Sequence, residues 1–241
     1  MSTSIVLHTT RFDPMCKKPD IVAAYYFAKD VVLNAGFGEE IMWQGSLNFD
    51  DVTESDFLRE HAWVALSAGM HERVVRQRFQ AVSRCFYDWK SADTIVTRED
   101  SCRRLALQHF NNYRKIEGII ETARIITSVG FKSYKEAIRL NPLQVLQSLP
   151  FVGPVTCYHL AKNIGLPYAK PDRHLVRLAN SVGYSNVQQF CKVIGESTGD
   201  SVPVVDIVLW RFATIKNAYL RIFYDVAVHG MESADYSEWI H

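Results

Sequence analysis

The sequence predicts an all-α protein made of two helical subdomains. Three observations carry the prediction. Apolar residues recur at spacings of three and four in one segment after another. No convincing run alternates with period two and ends in hairpin signals. The 241 residues are 48% hydrophobic, which is enough for one large core or two small ones.

Taken in chain order, helices are expected at about 19–35, 57–69, 72–88, 101–109, 114–129, 133–140, 142–148, 154–164, 171–182, 187–195 and 203–228, the last long enough to break. The segment 36–56 is polar, acidic and irregular, and is expected to connect subdomains. Val75, Phe79, Val82 and Phe86 form one apolar stripe, and Ile116, Ile119, Ile120, Ala123 and Ile126 form another. Asn141-Pro142 ends one helix and starts the next. Residues 149–154, LPFVGP, read as a tight turn between two helices, and Gly165 suits the C′ position that closes the second of them. Leu175, Leu178, Ala179 and Val182 mark a further amphipathic helix. There is no internal repeat and no low-complexity tract.

Composition excludes several classes. With 22% charged residues, 12 Gly and 8 Pro, the chain is neither disordered nor collagen-like. No apolar run approaches a membrane span, so no membrane partner is expected. The opening MSTSIVLHTTRFDP lacks the pattern of a secretory signal, so a cytoplasmic protein is expected, associated with the nucleoid if the source is prokaryotic. Cys16, Cys85, Cys102, Cys157 and Cys191 are not closely paired, which fits reduced, buried thiols. The eight histidines show no ligand spacing, so His71 is not expected to hold a metal. Net charge is only +1, but residues 58–192 carry +10 and the remainder −9. That asymmetry fits either a polyanion partner or a solvated helical surface.

Leu149 to Arg177, LPFVGPVTCYHLAKNIGLPYAKPDRHLVR, is the informative stretch. Two helices joined by a short Gly-containing turn present backbone N–H groups at the start of the second helix, where a phosphate can bind. An ordinary helical hairpin would look the same. Gly153 lets another backbone approach closely, and Pro154 suits the first helical turn. Further on, Pro171 fits the first position of a new helix and Asp172 its first turn, where the helix dipole favours a carboxylate. An acidic helix start is also a common structural device.

Together these elements resemble the helix-hairpin-helix–Gly/Pro–Asp superfamily of DNA glycosylases, whose members carry a pattern like LPGVGxKTA followed by VDxHVxR. Weaker similarity extends from Phe57-Leu58 to Leu66-Ser67-Ala68, through Tyr113-Arg114-Lys115 to Ile119-Ile120, and to Asp206–Trp210. It covers about residues 55–215. The resemblance implies a central helical barrel over 50–145, and a second subdomain of 1–49 and 146–241 that carries the hairpin (147–164) and a catalytic Asp172 at the cleft between them. It implies a monomer acting on double-stranded DNA that holds a damaged, mismatched or modified base. The base is flipped into a pocket, and its N-glycosidic bond is hydrolysed to leave an abasic site.

The departures from the family pattern shape what is expected. Lyase members place a Lys where this chain has Val155, so a monofunctional, water-using enzyme is implied. No cysteine follows Cys191, so the family's iron–sulfur cluster is not expected, and no cofactor is required. Phe151 stands in place of the first hairpin Gly. Trp63 stands where adenine-excising members carry Glu.

By resemblance, the N–H groups of Phe151, Gly153, Val155 and Thr156 hold phosphate. The carbonyls of Gln147, Leu149 and Val152 are candidates for a cation bridging hairpin and phosphate. Met70 and His71 are candidates to fill the gap left by the flipped base. Trp43, Trp63, Tyr113, Phe151, Tyr158 and Trp210 are candidates to stack on the base, though each also suits a core. Lys170 is read as a solvated lysine, a phosphate contact or a substitute amine. The target base stays open among an alkylated purine, a deaminated or mismatched pyrimidine, an oxidised base and a hypermodified base of phage DNA. The last would make this a defence enzyme. A non-catalytic hairpin DNA-binding protein and a glycosylase/lyase using another lysine are the competing readings.

Overall fold

The computed structural model describes residues 18–230, so residues 1–17, Cys16 among them, and 231–241 lie outside the described residues. The chain is all-α, with fourteen α-helices and no strand among the described residues. In order these are α1 (Ile21–Asn34), α2 (Gly38–Ser46), α3 (Glu54–Ser67), α4 (Glu72–Cys85), α5 (Ala92–Thr97), α6 (Glu99–His109), α7 (Tyr113–Val129), α8 (Phe131–Leu140), α9 (Pro142–Gln147), α10 (Thr156–Asn163), α11 (Arg173–Ser181), α12 (Val187–Thr198), α13 (Val202–Ile215) and α14 (Tyr219–His229). Side-chain caps set several starts. Asp20 accepts the Ala23 N–H at 3.0 Å, Thr53 and Asp56 form a reciprocal capping box, and Asn112 and Asn186 cap α7 and α12. No described helix is long and apolar enough to cross a membrane.

The segment 36–56, expected to be irregular, contains α2. This helix has two glycines and no side-chain cap, so local propensity does not announce it. Tertiary contacts hold it instead: Glu40 pairs with Arg211 of α13, and the buried Gln44 side chain donates to the Lys162 carbonyl at 2.9 Å. The expected helix over 203–228 breaks at Lys216, whose backbone is extended, into α13 and α14. Cys85, Cys102, Cys157 and Cys191 are buried free thiols.

There are two hydrophobic cores. One is formed by α3 to α10, from Phe49 to Ile164, with Phe57, Leu66, Ile116, Ile119 and Ile120 at its centre. The other is formed by α1 and α11 to α14, and includes Tyr25, Leu178, Phe190, Phe212 and Phe223. The expected boundary at 145/146 is therefore displaced. Leu146, Leu149, Val152, Cys157, Leu160, Ala161 and Ile164 all pack into the first core, so the hairpin belongs with the central helices and the change of core falls after Ile164. The apolar face of α10 turns toward α3, which fixes that choice.

Tyr87, Asp88 and Trp89 wind left-handed, with φ of 54°, 50° and 63°. Each costs roughly 1–2 kcal/mol relative to the right-handed form. The conformation buries Trp89, which stacks on Phe86 at 4.9 Å and donates from its indole N–H to Ser83 Oγ at 3.0 Å.

Candidate functional site

Helices α9 and α10 pack against each other across the loop 148–155. Phe151 has φ +64°, the left-handed conformation that a glycine would take at this point of the turn. Its ring lies against Gly118 of α7. A Cβ there would sit 2.7 Å from the ring, so only glycine leaves room. The loop is also tied to α3. The His61 imidazole is fully buried and its Nε2 lies 3.1 Å from both the Pro150 carbonyl and Thr122 Oγ1. Burial lowers the His61 pKa to about 4, so at neutral pH it is uncharged and donates one Nε2–H to the loop.

The N–H groups of Phe151, Val155 and Thr156 have no acceptor among the described residues. The fourth expected donor, Gly153, differs. Its N–H donates to Thr156 Oγ1 at 2.6 Å and is satisfied internally. A Cβ on Gly153 would meet only Thr156 Oγ1, at 3.8 Å, so nothing in the chain's own packing asks for glycine here. Of the expected cation ligands, the Leu149 carbonyl accepts the Val152 N–H at 3.1 Å, while those of Gln147 and Val152 have no donor among the described residues. No described cluster of His, Cys, Asp and Glu could hold a metal ion.

Helix α11 begins two residues later than expected, at Arg173 rather than Pro171. Pro171 lies outside the helix and Asp172 is itself the N-cap. Its Oδ1 accepts the His174 and Leu175 N–H groups at 2.8 and 3.1 Å. The other carboxylate oxygen has no partner among the described residues. The cap therefore fixes the carboxylate's direction and leaves one oxygen for an incoming group.

Beneath this turn lies a buried ion pair between Lys162 of α10 and Asp206 of α13, at 2.5 Å. Asp206 Oδ2 also accepts the Lys170 N–H at 2.6 Å. One carboxylate thus joins the hairpin helix, the second core and the backbone of the 170–172 turn. Burial pushes the Asp206 carboxyl up, and the Lys162 ammonium opposes that shift. Of the three readings of Lys170, full solvation does not hold. It is half-buried, and burial holds its ammonium below the usual lysine range. His159 of α10 is held neutral at this junction by burial, to which the Lys170 and Lys162 charges add.

The aromatic candidates fall in three places. Trp63 of α3 meets Phe79 edge-on at 5.1 Å, with the Arg76 guanidinium over its ring at 5.7 Å. Arg76 pairs with Glu40 and Glu72, and both of these pair with Arg211, whose guanidinium lies 4.6 Å over Trp210. One ionic chain thus links Trp63 in the first core to Trp210 in the second. Tyr158 packs edge-on against Tyr168 at 5.7 Å beside the first core. Tyr113 is exposed and lines an open depression of about 370 Å³ with Gly118, Pro150 and Phe151. Trp43 is an exposed residue of α2. Met70 and His71 are exposed in the turn between α3 and α4. That turn is anchored by the buried Lys115, whose Nζ donates to the Leu66 and Ala68 carbonyls, each at 2.6 Å.

Sequence reasoning did not single out Lys162, His159, Gln44 or Glu40. Asp206 was placed on a late core helix without a role. Its signal was available, since it is the one charge inside the apolar run VPVVDIVLW. No known family model matches the chain, and no curated protein does either.

Proposed function

We propose that the protein is a DNA glycosylase that hydrolyses the N-glycosidic bond of a damaged, mismatched or modified base. The observation that carries this reading is Asp172, an N-capping carboxylate with one oxygen committed to helix N–H groups and the other free. It follows a hairpin-like loop whose unpaired N–H groups suit phosphate. Breaking the bond builds positive charge on the sugar, as in glycoside hydrolysis. The free oxygen of Asp172 stabilises that charge and directs the attacking water. Phe151, Val155 and Thr156 hold the DNA backbone, and the open space at Gly153 lets it come close. The Gln147 and Val152 carbonyls are left to hold a bridging cation. Trp63 and Trp210 flank the base, and Met70 and His71 fill the gap it leaves. Val155 carries no amine, so water is the nucleophile for excision.

The test is a panel of duplexes, each with one alkylated, deaminated, oxidised or hypermodified base, treated with the protein and then with hot alkali. A nick at one modified position, lost in Asp172→Asn, is the expected result. Loss of the electrostatic role corresponds to roughly 3–4 kcal/mol of barrier, a ~10²–10³-fold slower reaction. Asn is as good an N-cap as Asp, so the variant keeps its fold. Turnover near wild type in Asp172→Asn refutes the mechanism.

A further inference from the structure

We propose that His61 is a positioning residue for DNA binding: its hydrogen bond to the Pro150 carbonyl holds the 150–151 peptide in the one of two orientations that turns the Phe151 N–H outward to phosphate. The inference rests on the glycosylase reading for its ligand, and adds to it the residue that sets the direction of a loop donor.

Residues 149–152 form a closed β-turn, in which the Val152 N–H donates to the Leu149 carbonyl at 3.1 Å. The ring of Pro150 holds its own φ at about −65°. Phe151 follows with φ +64°. A negative φ followed by a positive one makes this a type II turn. A type I turn spans the same four residues and keeps the same closing bond, but its central peptide is turned over. The carbonyl and the N–H of a trans peptide point in opposite directions. The choice of turn type therefore decides which of the two faces the core and which faces out.

Left to local preference, the turn would be type I. Proline suits the second position of either form, but the third position of type II asks for a left-handed residue, and here that residue is Phe. Contacts from two other helices overrule the preference. His61 of α3 is fully buried, with Nε2 at 3.1 Å from the Pro150 carbonyl. That oxygen can only accept, so the neutral imidazole carries its proton on Nε2. Thr122 Oγ1 of α7 lies equally close, but its hydroxyl donates to the Gly118 carbonyl at 3.1 Å and does not compete as a donor. One turn earlier on α7, Gly118 leaves room for the Phe151 ring. In the type I form an inward N–H would meet the Nε2 proton and find no acceptor there. In the observed form the N–H points away from α3 and has no acceptor among the described residues. The bond on its carbonyl also polarises the peptide, which strengthens the N–H as a donor.

The experiment titrates the full chain with a short fluorescent duplex of unmodified DNA at several salt concentrations. His61→Leu removes the donor that holds the peptide, and with it one bond from an N–H to an anion, so affinity should fall by roughly 10-fold or more. No charge is removed, so the plot of log K against log salt should drop without a change of slope. His61→Gln keeps an N–H at similar reach and should bind close to wild type. In a Phe151→Gly background residue 151 is left-handed without strain, and the same His61→Leu step should cost less affinity. Undiminished binding by His61→Leu overturns the proposal. So does a changed salt slope, a Gln variant as weak as the Leu variant, or an equal loss in the glycine background. Should His61→Leu fail to fold, NMR of the wild type decides. The His61 ring nitrogens must report the Nε2-protonated tautomer, and the Phe151 amide proton must move downfield when duplex is added; failure of either overturns the proposal. A wild type that binds no duplex removes the glycosylase reading and this inference together. Binding that is indifferent to residue 61 removes the inference alone.

Discussion

Residue 151 offers a direct test of the hairpin loop. Phe151 holds φ +64°, so an L side chain there carries a left-handed penalty of roughly 1–2 kcal/mol. Phe151 is 38% exposed, and its ring lies against Gly118. Full burial of a phenylalanine contributes about 1.5–3 kcal/mol, so this partial burial contributes about 1–2 kcal/mol. Phe151→Ala removes the ring and keeps the backbone penalty, and should cost that amount. Phe151→Gly removes both, and loses about 0.5–1 kcal/mol to the greater freedom of glycine in the unfolded chain. The net expectation is that the Gly variant is more stable than the Ala variant by about 1 kcal/mol, the reverse of their usual order. Urea unfolding with unchanged slope, read as a difference in midpoint, measures it. An Ala variant as stable as the Gly variant would mean that residue 151 is not left-handed, and that this loop does not form the turn on which the proposed phosphate contacts depend.

Other consequences can be measured independently. Gly153→Ala should fold with little change in stability, because its Cβ meets only Thr156 Oγ1 at 3.8 Å, whereas Gly153→Asp should weaken binding to all DNA alike in a salt-dependent titration; an altered base preference with intact non-specific affinity would refute the clamp. His61 stays neutral in the folded protein down to about 4, while the unfolded chain takes up its proton near 6.5, so stability is full above that value and falls between the two by up to about 3 kcal/mol. Urea midpoints at pH 7 and pH 4.5 should show a smaller fall in His61→Gln than in the wild type, and equal falls would refute the assignment. Asp206→Asn leaves the buried Lys162 without its counter-charge and should cost about 3–5 kcal/mol, read from thermal unfolding; a loss under 1 kcal/mol would mean that the pair does not join the two cores.

Much of the fold was legible because its helices are amphipathic. The stripe from Ile116 to Ile126 is buried throughout, and Leu175 and Leu178 enter the second core as their spacing implied. What was not legible has a common physical origin. Helix α2 has no cap of its own and depends on Arg211 and Lys162, which lie more than a hundred residues away. The hairpin's allegiance to the first core depends on which partner its apolar face meets, and a periodicity gives the face without the partner. That a helix starts close to Asp172 was visible from the sequence. Its role as the cap itself was not, because helix starts are uncertain by a residue or more. The half-burial of Lys170 was not legible for the same reason that Asp206 had no role: both depend on a contact between distant segments.

That contact gives the site its logic. A buried Lys–Asp pair rarely stabilises a fold more than an apolar pair of equal volume would. Here the Asp206 carboxylate also takes the Lys170 N–H, which an apolar residue could not do. The pair therefore sets direction as well as adhesion. It fixes the backbone two residues before Asp172 to α13, and fixes α10 to the same point. The hairpin loop at the start of α10 and the carboxylate at the start of α11 are in this way referred to one buried atom group. If the proposed reading holds, with the loop on a DNA backbone and the carboxylate at a sugar, that separation has to be held constant. Apolar packing is non-directional, whereas a desolvated ion pair that shares a hydrogen bond has a preferred orientation. On the proposed reading, the charge inside the apolar run of α13 acts as a ruler between the loop that would bind DNA and the carboxylate that would act on it.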